Sequence, residues 1–492
     1  MKTQDQTDIC YIYEENPVAG RTGDAVFVRQ LAKDFSNYKF RVARIVEEEF
    51  PTESIAQNPV PNIEGYQTID LSFHGSSGKG RTSVSYRKAG SFFHSVAKCI
   101  ELGRLDQNCI NELFDCAADL APSTKFDAIW KNTTCWELVK AVYEVSDGKM
   151  PFVQHRELLY EVSHPVWRLI SKWSDLPKAK IYQADSGIRS AILGLVAARK
   201  YGSKLIMVDD CLPLNSLERE RQGTKLRLGG IWRPENEAVR EARNRWTKLM
   251  RTHCLSSSDE ILANTVSSAV KIRDTIGDDR PIRVVREGIE GETARRWGAY
   301  YSKESEETSY RVVFLIGSYT ASMGRGILTA IRQIEQTVGQ GKFVILSLGS
   351  ISQPSRDSFD RGIRKHVSSA VQLKSESAMI EEIARATVVA FPNQIEVGDR
   401  PIINSLHAGK PVVVSMVDGN SIFADPRLSI ETDCFVNPNR LEGKDFPDAI
   451  ISLVRRKNNL DYHPRRLGEA LFNHQEIREG YAKVYQSLSP IT

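Results

Sequence analysis

The sequence predicts an α/β protein built from two Rossmann-like domains that face each other across a cleft. Short apolar runs rich in β-branched residues recur along its 492 residues, and helix-length segments separate most of them. Strands that are apolar throughout, rather than alternating, belong in parallel sheets covered by helices on both faces. The length exceeds one ordinary core, about two to four domains being usual for it.

The strands of the second half are expected at Val312–Ile316, Phe343–Leu348, Val371–Leu373, Thr387–Phe391, Pro411–Ser415 and Cys434–Val436. Helices are expected at Ile327–Thr337 and Ser377–Ala386. The first half repeats the theme with longer insertions. Its strand candidates are Ile9–Tyr13, Phe40–Ile45, Thr68–Phe73, Asp127–Trp130, Lys180–Gln183, Lys204–Val208, Glu260–Ala263 and Ile282–Val285. Its helices include Ala25–Asp34, Trp136–Val145, Ile188–Lys200 and Asn236–Arg251. The stretch Gly291–Tyr310 has no apolar periodicity and reads as a linker. The expected division is therefore a first domain over 1–290, the linker 291–310, a second domain over 311–470, and a terminal helix over 471–492 that crosses back to the first domain.

Composition narrows the function. Net charge is +4 and the isoelectric point near 8.5, too mild and too dispersed an excess for a nucleic-acid partner. The eight cysteines form no C-x-x-C pair and no zinc spacing, so no metal site is expected and the thiols suit a reduced cytosol. No run approaches the length of a membrane span, and the start lacks a signal-peptide pattern; a cytoplasmic protein is expected.

Three segments carry candidate chemistry. Gly317-Ser-Tyr-Thr-Ala-Ser-Met-Gly324-Arg325-Gly326 follows a strand and opens a helix, where loop amides and a helix N-terminus face an anion. Arg325 stands where a guanidinium reaches a diphosphate. Glu396-Val-Gly398, at the end of the Thr387–Phe391 strand, offers a carboxylate to sugar hydroxyls, and Asn404 eight residues later offers an amide to a ribose. The segment Pro17-Val-Ala-Gly20-Arg-Thr-Gly23 repeats the strand-to-helix pattern in the first domain.

Three further features have bland alternatives. His74-Gly-Ser-Ser-Gly-Lys79-Gly-Arg-Thr lacks P-loop spacing, which leaves a basic acceptor-side loop and no ATP hydrolysis. Asp209 and Asp210 end a strand and read as acceptor-side carboxylates, a helix cap or a surface pair. Trp167-Arg-Leu-Ile-Ser-Lys-Trp173 is expected to pack on the core, with membrane-surface contact as the alternative, and His253, His366 and His407 read as structural.

The layout Glu396…Asn404-Ser-Leu-His-Ala-Gly409-Lys-Pro411-Val-Val-Val resembles the donor site of retaining family-four glycosyltransferases with the two-domain GT-B fold. Gly20–Ala32, Ile282–Glu290, Phe314–Ile327 and Arg465–Leu488 carry the rest of the resemblance. Tyr182–Gly194 and Leu205–Arg221 are similar to the Pel-exopolysaccharide type. The resemblance implies a metal-independent enzyme of bacterial polysaccharide or glycoconjugate synthesis with no cofactor. It implies a nucleotide-sugar donor, UDP- first and GDP- or dTDP- as alternatives, and a glycan, lipid-linked or small-molecule acceptor. By position, Glu396 would contact the donor sugar, Asn404 the ribose, Arg325 the diphosphate and Gly20–Gly23 the sugar-phosphate. It also implies contact with the inner face of the membrane or with another glycosyltransferase.

Asn404 stands where the family has Glu, Ser318 where it has Arg, and Arg325 where it has Lys. These departures keep a second reading open, a catalytically silent subunit that binds a partner glycosyltransferase or a glycan. A sugar-nucleotide 2-epimerase shares the architecture but needs a proton-abstracting constellation that this sequence does not offer.

Overall fold

In the computed structural model, the structure describes residues 7–14, 22–46, 60–71, 86–102, 107–122, 124, 126–145, 151–185, 187–209, 225–228, 231–234, 237–264, 266–277, 280–285, 309–316, 321–347, 357, 361, 367–375, 378–392, 400–414, 445–456, 464–471 and 473–488. The first domain carries strands β1 (Thr7–Glu14), β2 (Phe40–Val46), β3 (Ile63–Asp70), β4 (Ala179–Asp185) and β5 (Lys204–Asp209). A hairpin follows, β6 (Lys225–Leu228) and β7 (Ile231–Pro234), then β8 (Glu260–Ala263) and β9 (Ile282–Val284). The second domain holds β10 (Arg311–Ile316), β11 (Lys342–Ser347), β12 (Ala370–Ser375), β13 (Val388–Phe391) and β14 (Val412–Val414).

Two parallel sheets result, ordered β3-β2-β1-β4-β5-β8-β9 and β12-β11-β10-β13-β14; β6 and β7 pair antiparallel by themselves. Both orders reverse direction beside their first strand, which places a topological switch point between β1 and β4 and another between β10 and β13. The strands are buried along nearly their whole length: Val312–Ile316 and Val412–Val414 are 0% exposed. That is why their sequences run apolar without alternation.

The first sheet is covered on both faces. On one face helix Ile188–Tyr201 packs with a helical insert formed by Tyr86–Leu102, Gln107–Leu120, Phe126–Trp130, Thr133–Val145 and Phe152–Ile170. On the other face lie helix Thr22–Asp34 and helix His474–Leu488, the last element of the described chain. Ile477, Tyr481, Val484 and Tyr485 of that helix sit in the first-domain core against Phe27, Phe35, Tyr38 and Phe40.

Two glycines end helices at the sheet edge. Gly202 (φ +66°) returns its N–H to Ala198 O after helix Ile188–Tyr201 and releases the chain into β5. Gly409 (φ +75°) closes helix Arg400–His407 ahead of β14, the left-handed conformation that favours glycine.

The structure corrects several expectations. Asp127–Trp130 is helix, not strand. Phe126 stacks on Trp130 four residues on, with ring centroids 5.9 Å apart, and both meet Phe93; these contacts exist only at helical spacing. The strand expected at Thr68–Phe73 begins earlier, at Ile63. The helix expected from Ile327 begins at Ala321, because Met323 extends the buried stripe of Ile327, Ile331 and Ile334 by one turn. Two helices of the insert, Tyr86–Leu102 and Gln107–Leu120, were not read from the sequence, and the short helix expected at Trp167 is the end of a longer one, Phe152–Ile170. Trp167 lies 2% exposed within the last of them, against Phe92, with its indole N–H donating to Thr124 O at 3.1 Å. The strand expected at Cys434–Val436 lies outside the described residues.

Candidate functional site

In the second domain, β10 and β13 flank the switch point, and the helix after each departs to an opposite face. Helix Ala321–Val338 follows β10. Gly324, Arg325 and Gly326 lie in its first turns rather than in a loop, with both glycines buried and Arg325 exposed. A cation on the opening turns of a helix stands beside amides that accept an anion.

Helix Arg400–His407 follows β13, and Asn404 sits at its fifth position, 8% exposed. Its main-chain carbonyl accepts from Ala408 N at 2.9 Å. Gly468 of helix Pro464–Leu471 presses on the same helix: a Cβ there would lie 3.3 Å from His407 N and 3.3 Å from Leu406 Cβ. Gly317, Glu396 and Gly398 lie outside the described residues.

In the first domain, acidic residues close three neighbouring strands: Glu14 ends β1, Asp185 ends β4 and Asp209 ends β5. Glu14 Oε1 accepts from the main-chain N–H groups of Arg189 at 2.6 Å and Ser190 at 3.2 Å, so it caps helix Ile188–Tyr201 across the switch point. Gly187 occupies that helix's N-cap with no side-chain cap of its own. A Cβ there would meet Glu14 Oε1 at 2.0 Å. The Arg189 guanidinium lies 3.7 Å from Glu14 Oε2.

Asp185, 4% exposed, accepts from the Tyr11 hydroxyl. Asp209 is buried, not a surface residue, which corrects that alternative. It is 5% exposed, and Arg251 donates to it through Nε at 2.8 Å and Nη2 at 2.5 Å. The forked guanidinium offsets the desolvation of a buried carboxylate. Gly23 lies in the first turn of helix Thr22–Asp34, whereas Gly20, His74, Lys79 and Asp210 lie outside the described residues.

Sequence reasoning missed Glu14, Asp185 and Arg251. A signal was present for the first two, since both end apolar runs, Tyr-Ile-Tyr-Glu14 and Tyr-Gln-Ala-Asp185, as Asp209 does. Nothing local marks Arg251, which meets Asp209 only through the fold.

The histidines read as structural and described are buried. His253 is 1% exposed and edge-on to Phe114, and neither ring nitrogen has a partner among the described residues. Burial, reinforced by nearby Arg199, lowers its pKa to about 4. His407 is 5% exposed. His366 lies outside the described residues.

A family model described as "Domain of unknown function (DUF3492)" matches residues 7–269, more than half of the chain. No curated protein sequence matches it. Solved structures share the fold across nearly the whole length. Sucrose-phosphate synthase from Thermosynechococcus elongatus superposes with a TM-score of 0.55 at 13% identity, covering 97% of this chain and 98% of that one. The HepE protein of Anabaena, in complex with UDP and glucose, gives 0.54 at 12% identity over 98% and 100%. An α,α-trehalose-phosphate synthase (UDP-forming) from Burkholderia xenovorans, in complex with glucose-6-phosphate, gives 0.50 at 10% identity over 98% and 98%. The two parallel-sheet domains are those of the GT-B glycosyltransferase fold.

Proposed function

We infer a function from the premise that this chain belongs to the family described as domain of unknown function (DUF3492): it is a glycosyltransferase that moves a sugar from a nucleotide-diphospho-sugar to a glycan, lipid-linked or small-molecule acceptor. UDP heads the donors, with GDP and dTDP as alternatives. The Anabaena protein of the same fold in complex with UDP and glucose supports that order. The reaction class is retaining and metal-independent, and the setting is bacterial polysaccharide or glycoconjugate synthesis, in the cytoplasm or at the inner face of the membrane.

The observation that carries this reading is the second switch point, where Asn404, 8% exposed, lies on the helix that leaves β13 and Arg325, exposed, lies on the helix that leaves β10. Ligands of open α/β sheets bind at such a crevice. In the proposed complex Asn404 takes a ribose hydroxyl, and Arg325 with the opening turns of helix Ala321–Val338 takes the diphosphate. Glu396 orients the sugar. As the glycosidic bond breaks, charge grows on the diphosphate, and a preorganised cation with helix amides favours that state over the ground state. The acceptor hydroxyl attacks from the face the diphosphate leaves and passes its proton to a phosphate oxygen. Water exclusion by domain closure limits donor hydrolysis.

A thermal-shift screen against UDP, GDP, dTDP and their sugars tests the donor, followed by turnover with the best binder. Stabilisation by one nucleoside diphosphate and release of it on turnover are expected. Absence of any nucleotide binding would leave the silent-subunit reading in its place.

A further inference from the structure

Two thiols of the helical insert touch each other. Cys99 lies in the last turn of helix Tyr86–Leu102, and Cys109 is the third residue of helix Gln107–Leu120. These helices pack together, and the two cysteines meet near the same end of the pair. Their sulfurs stand 3.8 Å apart, with the Cys99 S–H donating to Cys109 Sγ. The Cys109 S–H donates to Ser95 O at 3.5 Å. Both are thiols in the structure, 2% and 5% exposed respectively.

The two sulfurs are chemically unequal. A sulfur in the first turn of a helix lies beside main-chain amides, which favour its anionic, nucleophilic form. A sulfur in a last turn lies beside carbonyls, which do not. Cys109 holds the first kind of position and Cys99 the second. The Cys99 S–H also donates to Cys109 Sγ, so it supports a charge formed there. Cys109 is therefore the sulfur that attacks, and Cys99 the one placed to follow. Closing 3.8 Å to the about 2 Å of a disulfide moves the sulfurs by less than the width of one atom. Both positions lie at helix ends, where local opening costs least, and a small neutral peroxide needs only such an opening to arrive.

We propose that Cys99 and Cys109 are a modification site at which a hydroperoxide forms a reversible disulfide, stapling the first two helices of the insert. The Cys109 thiolate attacks the O–O bond and takes one oxygen as a sulfenic acid, while the other oxygen leaves as alcohol, or as water from hydrogen peroxide. Cys99 Sγ then attacks the Cys109 sulfur, so that the S–S bond forms as the S–O bond breaks and water departs. Two thiols and one hydroperoxide thus give one disulfide, one alcohol and one water, and the two electrons lost by the sulfurs reduce the peroxide. A dithiol reverses the bond by exchange, as it does for the transient disulfides of reducing compartments.

The test uses the full chain, reduced, desalted and treated with hydrogen peroxide. Remaining thiols are blocked with N-ethylmaleimide, and the chain is cut with trypsin without reduction. Cleavage after Lys98 and Arg104 puts the two sulfurs in separate peptides, so the bond appears as one linked pair. That pair is expected to be the leading disulfide among the eight cysteines and to vanish with dithiothreitol. The oxidised protein is expected to melt at least about 2 °C higher than the reduced one. Cys99→Ser is expected to leave a sulfenic acid on Cys109 that dimedone traps. Cys109→Ser is expected to give neither the link nor a dimedone adduct on Cys99. Should either variant not fold, the peptide map of the wild type decides. Absence of the Cys99–Cys109 link, or a link no more abundant than other pairings of the cysteines, overturns the proposal. So does a Tm that stays or falls when the link forms, and a dimedone adduct on Cys99 in Cys109→Ser overturns the order of attack.

Discussion

The hydroxyl of Tyr485 donates to Oε1 of Gln183 at 2.6 Å, a bond between the last described helix and the middle of β4, both residues 0% exposed. It ties the end of the chain into the centre of the first sheet. The Gln183 Nε2 has no partner, so this bond is the only one recorded for the Gln183 side chain among the described residues. Tyr485→Phe keeps the ring contacts with Phe35 and Tyr38 and removes the donor. Unfolding free energy from urea titration is expected to fall by about 1–3 kcal/mol, the cost of leaving a buried acceptor unsatisfied. An unchanged midpoint would show that water replaces the hydroxyl.

His253 makes the protein sensitive to acid. Its folded pKa of about 4 lies below the ordinary 6.5, because burial disfavours the charged ring and Arg199 repels it. The unfolded chain therefore takes up the proton first. Stability is fully present above pH 6.5 and is lost as pH falls from 6.5 toward 4, by about 3 kcal/mol over that window. Burial lowers His155 and His164 as well, in the same direction. Urea titrations from pH 7.5 to 4.5 should show the decline, and His253→Leu should flatten part of it.

Glu382 is 0% exposed and bridges Arg311 Nη1 at 2.7 Å and Lys374 Nζ at 2.5 Å. Removing one partner of a fully buried pair costs about 3–5 kcal/mol. Lys374 is partly exposed and regains water, so Glu382→Ala is expected to cost about 2–3 kcal/mol, most of it from the stranded Arg311. Loss of under 1 kcal/mol would mean that the guanidinium finds another acceptor.

Arg325→Ala is expected to weaken binding of UDP by about 1.5–3 kcal/mol, the range for hydrogen bonds to charged groups. Uridine should lose much less. Arg325 is exposed on its helix, so the fold should hold and the Tm stay near wild type. Equal losses for UDP and uridine in calorimetry would place Arg325 away from the phosphates.

Asn404→Ala is expected to raise donor KM while Asn404→Glu is tolerated or binds more tightly, since a carboxylate accepts hydroxyl hydrogen bonds more strongly than an amide. Calorimetry with the best-binding nucleotide checks both. If neither substitution matters, Asn404 is not a ribose contact.

The sequence by itself determined the parallel sheets and the order of strand and helix. Burial on both faces leaves its mark residue by residue, as in Val312–Ile316 and Val412–Val414, and Gly409 with Pro411 marks a helix stop and strand start without outside help. Only the tertiary structure decided what depends on distant partners. Phe126–Trp130 is helical because Phe93 receives both rings, and a five-residue apolar segment has no period long enough to announce that. Glu14 finds its amides 175 and 176 residues away, Asp209 its guanidinium 42 residues on, and Tyr485 its acceptor 302 residues back. Such pairs arise when the sheet brings strand ends together, and no local pattern encodes which ends will be neighbours.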